Sequence, residues 1–378
     1  MAEINYLTAI GFASGALAGL ADALSGLSIA RPLLVTDRGV VAAGLAGRAI
    51  AAMGAVPPAA RFEETPPNPT EAAARAAAAR YRAAACDGIV ALGGGSPLDL
   101  AKAAALLAGH AGPLADYAAV HGGGSRITAA TAPVIAIPTT AGTGSEVGRA
   151  ALIVMEDGRK LAFISPHLLP RRAICDPDLT LGLPPGLTAA TGMDAIAHCI
   201  ECYLSPAVNP PADAIALDGL RRGWAHLERA VADGADREAR WQMMMAGLQG
   251  GLCFQKGLGA VHALSHPLGA LPGLALHHGT LNAVLLPAVL RFNADGQAAK
   301  YAALAQAMAC APEELPDTVL AMNARLGLPP GLAAMGVPAA ALPGIAAAAL
   351  DDLCTATNPR APGPGDYLAL LQQSFQST

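Results

Sequence analysis

Histidine and carboxylate residues recur in this chain at a spacing that could bind a metal ion. Asp194 and His198 are four residues apart, which places their side chains one above the other on a helix face. His262 and His266 repeat this spacing, and the histidine pair 277–278 follows. A single buried histidine is usually a core residue with satisfied hydrogen bonds. One carboxylate with several histidines in apolar segments instead favours a mononuclear metal site.

A glycine-rich segment, Gly93-Gly94-Gly95-Ser96-Pro97-Leu98-Asp99, follows an apolar run that predicts a strand. Ser96 suits a helix N-cap, Pro97 the first helical position, and Asp99 the third position of a capping box. Glycines let backbone N–H groups approach a phosphate at the positively polarised start of a helix. The segment therefore predicts either a phosphate cradle or a tight strand-to-helix turn without a ligand.

Two other segments leave predicted strands where a nucleotide could bind. Asp37 ends the first strand and could either accept hydrogen bonds from a ribose or be a solvated turn residue. The segment 138–146 is rich in threonine and glycine, and could contact ribose and nicotinamide or be a surface loop. The usual dinucleotide fingerprint is absent, because the glycines are not spaced G-x-G-x-x-G and Asp37 precedes them. A carboxylate at a strand end together with a phosphate cradle still favours a nucleotide as the ligand.

Short β-branched runs alternate with alanine-rich helical stretches in the first half of the chain, which predicts a parallel, doubly wound α/β sheet. The second half has helical spacing almost throughout. We predict a nucleotide-binding domain over residues 1–184 and an all-helical, metal-binding and catalytic domain over 185–378. The predicted strands are 32–36, 88–92 and 134–137, and the predicted helices are 40–53, 70–85, 187–204, 212–231, 237–253 and 281–293.

Composition and charge exclude several classes of partner. Lysine and arginine number 24 against 29 acidic residues, so the net charge of −5 offers no footprint for nucleic acid or an anionic membrane. The uncharged runs 5–21 and 127–145 are interrupted by glycine or proline, and Glu3 stands where a signal peptide needs basic residues. Seven cysteines, an odd number, predict reduced thiols, with Cys199 and Cys202 packed in a helix. We therefore expect a soluble cytoplasmic protein.

Four motifs, in their order along the chain, resemble those of the iron-containing (group III) alcohol dehydrogenases. They are 93–102, 138–147, 192–198 and 262–269, and Pro67-Asn68-Pro69-Thr70 and Asp176-Pro177 also fall where that family has them. The match runs from about residue 30 to about residue 295. The resemblance implies a dehydroquinate synthase-like architecture with a nucleotide-binding α/β domain, a helical metal domain, and a cleft between them for NAD(P) and substrate. It also implies a homodimer.

The resemblance assigns roles to the metal and catalytic residues. It implies that Fe²⁺, with Zn²⁺ as the alternative, is bound by one carboxylate and three imidazoles: Asp194, His198, His262 and His278. His278 is preferred to His277 because it precedes Gly279, which matches the family's His-Gly ligand position. His266 would be the catalytic proton handler near the nicotinamide, and Phe254 would face the substrate channel.

The resemblance also implies a set of residues that line the cofactor. NAD is favoured over NADP, because a carboxylate at the ribose would repel a 2′-phosphate. The ten residues are Asp37, Asn68, Gly94, Gly95, Ser96, Asp99, Thr139, Thr140, Thr143 and Lys160.

The implied activity is that of an NAD(P)- and metal-dependent alcohol dehydrogenase or aldehyde reductase, which moves a hydride between nicotinamide and a small alcohol, aldehyde, hydroxy acid or keto acid. Departures from the family pattern at 254–257, between His266 and His278, and at Gly148 concern the substrate pocket more than the metal. One alternative is a metal-independent enzyme resembling maleylacetate reductases. Another is a carbon–oxygen lyase of the dehydroquinate synthase type. That lyase would need several basic residues near the metal, and only Lys256 is close in sequence.

Overall fold

The computed structural model describes residues 8–376, and the chain divides into two compact units. The first unit contains residues 8–140 and Gly144–Gly182. The second contains the short segment Ala141–Thr143 together with the described residues from Leu183 onward. The long loop after the third predicted strand therefore contributes residues to both units.

The first unit is built on a six-stranded sheet in which every strand pairing is parallel. The strand order is β1-β8-β5-β4-β2-β3, and β6 and β7 form a separate antiparallel hairpin. The parallel, doubly wound sheet predicted from the sequence is thus confirmed, whereas the hairpin was not predicted. The strands are β1 (Ala9–Phe12), β2 (Pro32–Val35), β3 (Ala60–Phe62), β4 (Gly88–Gly93), β5 (Val134–Pro138), β6 (Ala150–Val154), β7 (Lys160–Ile164) and β8 (Arg172–Cys175).

The central strands are apolar along their whole length because helices cover both faces of the sheet. Alternate residues of β2, β4 and β5 belong to two different core clusters, one on each side. The first cluster contains Leu33, Val35, Ile89, Ala91 and Ala136, and the second contains Leu34, Val90, Leu92, Ile135 and Ile137.

Both helices predicted for the first unit are present, the first of them with an interruption. The predicted helix 40–53 is divided at Gly44, whose φ of +76° is unfavourable for other residues. The predicted helix 70–85 is shorter, and Thr70 caps it by accepting a hydrogen bond from the backbone N–H of Ala73 at 3.2 Å. The helices are α1 (Leu20–Gly26), α2 (Arg38–Ala42), α3 (Leu45–Ala52), α4 (Glu71–Ala83) and α5 (Gly95–Gly109).

The order of the strands reverses between β2 and β4. From β2 the chain goes to β3 on one side, whereas β4 is followed by β5 on the other side. In open α/β sheets, ligands bind outside the carboxyl ends of the strands at such a switch point. Asp37 follows β2, and the glycines at 93–95 join the end of β4 to the start of α5, so two of the predicted cofactor segments lie at this point of the sheet.

The described part of the second unit is helical and contains no strand. The predicted helices 187–204, 212–231, 237–253 and 281–293 are all present with small shifts in their bounds. The helices are α6 (Pro185–Leu204), α7 (Pro210–Ala232), α8 (Arg237–Cys253), α9 (Ala260–Leu268), α10 (His278–Asn293), α11 (Ala298–Met308), α12 (Leu315–Arg325), α13 (Leu342–Leu350) and α14 (Pro364–Phe375).

The cysteines do not form a disulfide framework. All seven are free thiols, and Cys199 and Cys202 are buried inside α6, as the sequence predicts. Among residues 8–376, no helix combines the length and the apolar character that crossing a membrane requires.

Candidate functional site

Three helices of the second unit bring the predicted metal ligands together. Asp194 and His198 lie on α6, His262 lies on α9, and His278 begins α10. The Nε2 atoms of His198, His262 and His278 are 3.9, 3.9 and 3.8 Å from the same oxygen, Oδ1 of Asp194. These four residues, here called the metal cluster, are buried except for His278, which is half-buried. One carboxylate and three imidazoles thus converge on a small volume.

The amide of Asn282 lies where the lone pairs of three residues of the metal cluster meet, those of Asp194, His262 and His278. Its Nδ2 donates a hydrogen bond to Asp194 Oδ1 at 2.6 Å and lies 3.1 and 3.2 Å from Nε2 of His262 and His278. Three acceptors therefore face one donor, as they would face a cation. The Oδ1 atom of Asn282 is buried without a hydrogen-bond partner among residues 8–376. The donor set and its convergence fit Fe²⁺ or Zn²⁺.

Glu201 orients His262. Its Oε2 is 2.5 Å from His262 Nδ1, and its Oε1 accepts a hydrogen bond from the backbone N–H of Val261 at 2.7 Å. A carboxylate can only accept, so His262 carries its proton on Nδ1 and presents the Nε2 lone pair to the metal cluster. Carboxylate–histidine pairs of this kind fix the ring and raise the basicity of a metal ligand.

The protonation of His198 also suits metal binding. Burial lowers the pKa of His198 to about 4, although the carboxylate of Asp194 acts in the opposite direction. The imidazole is therefore neutral near pH 7, and only a neutral imidazole can ligate a metal. The ring of Phe254 covers it edge-on, with 5.6 Å between ring centroids.

Close approach of α10 to α6 brings His278 to the cluster. A Cβ atom on Gly279 would lie 2.2 Å from the carbonyl oxygen of Ala190 and 3.1 Å from Cβ of Asp194. Only glycine fits there, so Gly279 allows the start of α10 to lie against α6. His277, the alternative ligand, has an exposed side chain and precedes the helix in an extended conformation.

His266 lies beside the metal cluster without belonging to it. Its ring stacks on that of His278 with 5.6 Å between centroids and 10° between planes. Its Nδ1 is 2.8 Å from Oδ2 of Asp352, a residue in the C-terminal region for which the sequence predicted no role. Burial by itself raises the pKa of Asp352. The attraction to His266 and the hydrogen bonds from His266 and Cys354 outweigh this effect, and the pKa of Asp352 lies below its ordinary value.

The glycines after β4 form a cradle at the start of α5. Gly93 has a φ of +149°, and a Cβ atom there would lie 2.6 Å from the ring of Pro97. A Cβ atom on Gly94 would be 3.3 Å from the side chain of Thr140, so these two predicted cofactor residues adjoin. Gly94 is the N-cap and supplies no side-chain hydrogen bond, which leaves backbone N–H groups at the helix start for an anion.

The predicted capping box in this segment is wrong. The helix begins at Gly95, so Ser96 is not the N-cap, and its hydroxyl group instead donates a hydrogen bond to the carbonyl of Pro67. Both oxygens of Asp99 are used elsewhere, because Oδ1 accepts from Ser145 Oγ at 2.6 Å and Oδ2 accepts from the backbone N–H of Leu152 at 3.0 Å. Asp99 therefore holds the segment after Gly144 against α5.

The remaining predicted cofactor residues lie on several segments. Thr139 is buried beside the cradle and its N–H donates to the carbonyl of Gly93 at 2.9 Å, whereas Thr143 belongs to the second unit. Lys160 donates a hydrogen bond to Asn68 Oδ1 at 3.3 Å. Asp37 is the N-cap of α2, and its Oδ1 accepts a hydrogen bond from the N–H of Val40 at 2.9 Å.

Comparison with known proteins decides the family. Residues 8–177 match the model of iron-containing alcohol dehydrogenases, and residues 188–375 match that of the C-terminal part of the Fe-containing alcohol dehydrogenase family. The chain belongs to the iron-containing alcohol dehydrogenase family. The resemblance predicted from the sequence is therefore confirmed, and the protein is an oxidoreductase of the alcohol dehydrogenase type.

Relatives that this chain matches over nearly their full length are named as dehydrogenases or reductases of small alcohols and aldehydes. It is 58% identical over 388 residues to 4-hydroxybutyrate dehydrogenase of Cupriavidus necator, with 99% of this chain and 100% of the relative covered. Its fold is similar to that of a 1,3-propanediol oxidoreductase, with a TM-score of 0.92, 34% identity, and coverage of 99% and 100%. It is also similar to sulfoacetaldehyde reductase from Bifidobacterium kashiwanohense in complex with NAD⁺, with a TM-score of 0.89, 28% identity, and full coverage of both chains.

Three residues of this alcohol dehydrogenase that contact the predicted ligands or His266 were missed from the sequence. Glu201 could have been found, because it lies seven residues after Asp194 and so shares its helix face. Asn282 lies four residues after His278, so helical spacing could have indicated it as well. No sequence pattern indicated Asp352, because it is 86 residues from its partner His266.

Proposed function

We propose that the protein catalyses the reversible, NAD-dependent oxidation of a short hydroxy acid or diol at a primary alcohol, with Fe²⁺ bound by Asp194, His198, His262 and His278. The observation that carries the proposal is the convergence of three Nε2 atoms on Asp194 Oδ1. When bound, the divalent ion acts as a Lewis acid that polarises the oxygen of the substrate.

The protein's own residues have separate tasks in this proposal. Glu201 holds the ring of His262 in one orientation, and Asp194 supplies the single negative charge of the ligand set. Phe254 lies edge-on to His198 and shields it from water. Backbone N–H groups at the start of α5 bind the pyrophosphate of the dinucleotide, because glycine at 93 and 94 lets it approach closely. The complex of sulfoacetaldehyde reductase with NAD⁺ supports this choice of cofactor.

The environment of Lys256 argues against a lyase that handles a phosphorylated substrate. Its side chain is 1% exposed, and its Nζ donates to the carboxylate of Asp213 and to the carbonyl of Tyr203 at 3.2 Å. This lysine is therefore neutralised within the helical unit and is not free to bind a phosphate. The intact carboxylate and imidazole set likewise favours a metal-dependent enzyme over a metal-independent reductase.

One relative supports a narrower substrate class. A 58% identical enzyme that is named for 4-hydroxybutyrate supports a short ω-hydroxy acid, with the matching semialdehyde in the reverse direction. NADH formation should be followed with 4-hydroxybutyrate, 1,3-propanediol and ethanol, using enzyme depleted of metal and reloaded with Fe²⁺ or Zn²⁺. We expect turnover only after reloading, with 4-hydroxybutyrate the best of the three. Full activity in the metal-free enzyme would contradict the proposal.

Replacement of Asp37 should change the choice of cofactor. Serine caps a helix about as well as aspartate, so Asp37→Ser removes the charge while keeping the hydrogen bond from Val40. The repulsion between a carboxylate and a 2′-phosphate about 4 Å away costs ~1–4 kcal/mol. Its removal should therefore raise the efficiency with NADPH relative to NADH about tenfold. Asp22→Ser, the same change at an exposed position of α1, should leave the ratio unaltered. Steady-state kinetics with both cofactors measure it, and a wild-type enzyme that prefers NADPH would refute the assignment.

A further inference from the structure

We propose that Asp352 is a positioning residue that fixes the proton of His266 on Nδ1 and so keeps Nε2 as the acceptor atom of this ring. The inference rests on the proposed function and deepens it, because it assigns a task to the C-terminal region. The Asp352 Oδ2 to His266 Nδ1 distance is 2.8 Å, and both side chains are at least four-fifths buried, with exposures of 15% and 11%.

Asp352 is itself held in place. Its Oδ1 accepts a hydrogen bond from the backbone N–H of Cys354 at 2.9 Å, as the N-cap of the turn that follows. The segment 352–358, here called the strap, is fixed to α9 at its other end as well. Asn358 Oδ1 accepts from the N–H of Ala260 at 3.0 Å, and Thr357 Oγ1 donates to the carbonyl of Leu258 at 2.6 Å. The strap therefore contacts both ends of the short helix that carries His266.

The chemistry of the pair decides the tautomer. A carboxylate only accepts hydrogen bonds, so His266 must carry a proton on Nδ1, and its Nε2 is left for other partners. Stacking on His278 fixes the plane of the ring at the same time. Two independent contacts thus set the rotation and the proton position of a histidine that lies directly beside two metal-cluster rings.

The test compares Asp352→Asn with Asp351→Asn, which makes the same chemical change at the exposed neighbouring residue. Asparagine still caps the turn but offers His266 both a donor and an acceptor, so it no longer specifies the tautomer. We expect Asp352→Asn to lower kcat about 100-fold, at the low end of what loss of acid–base catalysis costs, with KM and metal content unchanged. In a His266→Ala background, Asp352→Asn should have no further effect on kcat.

The position of the proton is measured separately from activity. In Zn²⁺-loaded enzyme, two-bond ¹H–¹⁵N correlations should show the Nδ1–H form of His266 in the wild type and in Asp351→Asn, and a mixture in Asp352→Asn. Asp352→Ser, which keeps the cap but removes the carboxylate, replaces Asp352→Asn if that variant does not fold. An unchanged tautomer, or an equal loss of kcat with and without His266, would overturn the proposal. If the wild type oxidises no alcohol, the proposed function fails, and the tautomer spectra still decide the positioning role.

Discussion

His198→Ala should yield a protein that neither retains a divalent metal nor oxidises alcohols at more than about a thousandth of the wild-type rate. A Lewis acid supplies several kcal/mol of stabilisation to the developing charge, and each ~1.4 kcal/mol is a factor of ten. An open catalytic site has few protein ligands, so loss of one imidazole removes the ion. Metal content by mass spectrometry and NADH formation measure the two effects.

A matched control separates this effect from general damage to the helical unit. His226→Ala removes the same atoms from α7, where the ring Nδ1 lies 2.9 Å from the backbone carbonyl oxygen of Arg222, away from the predicted ligands. This variant should keep its metal and its rate. Retention of full turnover by His198→Ala without metal would favour the metal-independent reductase instead.

Part of the metal cluster is indicated by local spacing, because Asp194 and His198 follow the helical repeat whatever the tertiary fold. The full ligand set, with His262 and His278, came from the family resemblance. The central strands could also be predicted, since a strand buried on both faces is apolar at every position. The short outer strands, such as β3 with its exposed Arg61, carry little of this pattern.

The capping box at Ser96 failed because a tertiary contact overrode a local pattern. Ser96 and Asp99 have the correct types and spacing, but the hydroxyl is drawn to Pro67 and the carboxylate to Ser145. Both partners are far from Ser96 and Asp99 in the sequence, so a local sequence pattern cannot predict these contacts. The same holds for Asp352, whose contact with His266 exists only because the strap lies along α9.

The loop before α10 determines which of two adjacent histidines can ligate the metal. Neighbouring residues in a helix or an extended segment point in clearly different directions, so we do not expect His277 and His278 to ligate the same ion. His278 Nε2 lies 3.8 Å from Asp194 Oδ1, whereas the side chain of His277 is exposed. The family's shorter loop would place Leu276 at this position, and a leucine side chain has no atom that can ligate a metal. His278 therefore remains the predicted ligand.

The alanine variants of the two histidines should accordingly behave differently. We expect His278→Ala to weaken metal binding more than about 100-fold, which exceeds the usual effect of losing an outer partner, and to abolish turnover. His277→Ala should keep its metal, with any effect confined to KM. Metal content after dialysis against a limiting chelator, together with the melting temperature with and without added metal, distinguishes them. Metal loss in His277→Ala with retention in His278→Ala would reverse the assignment, and the loop would then have to place the first histidine against α6.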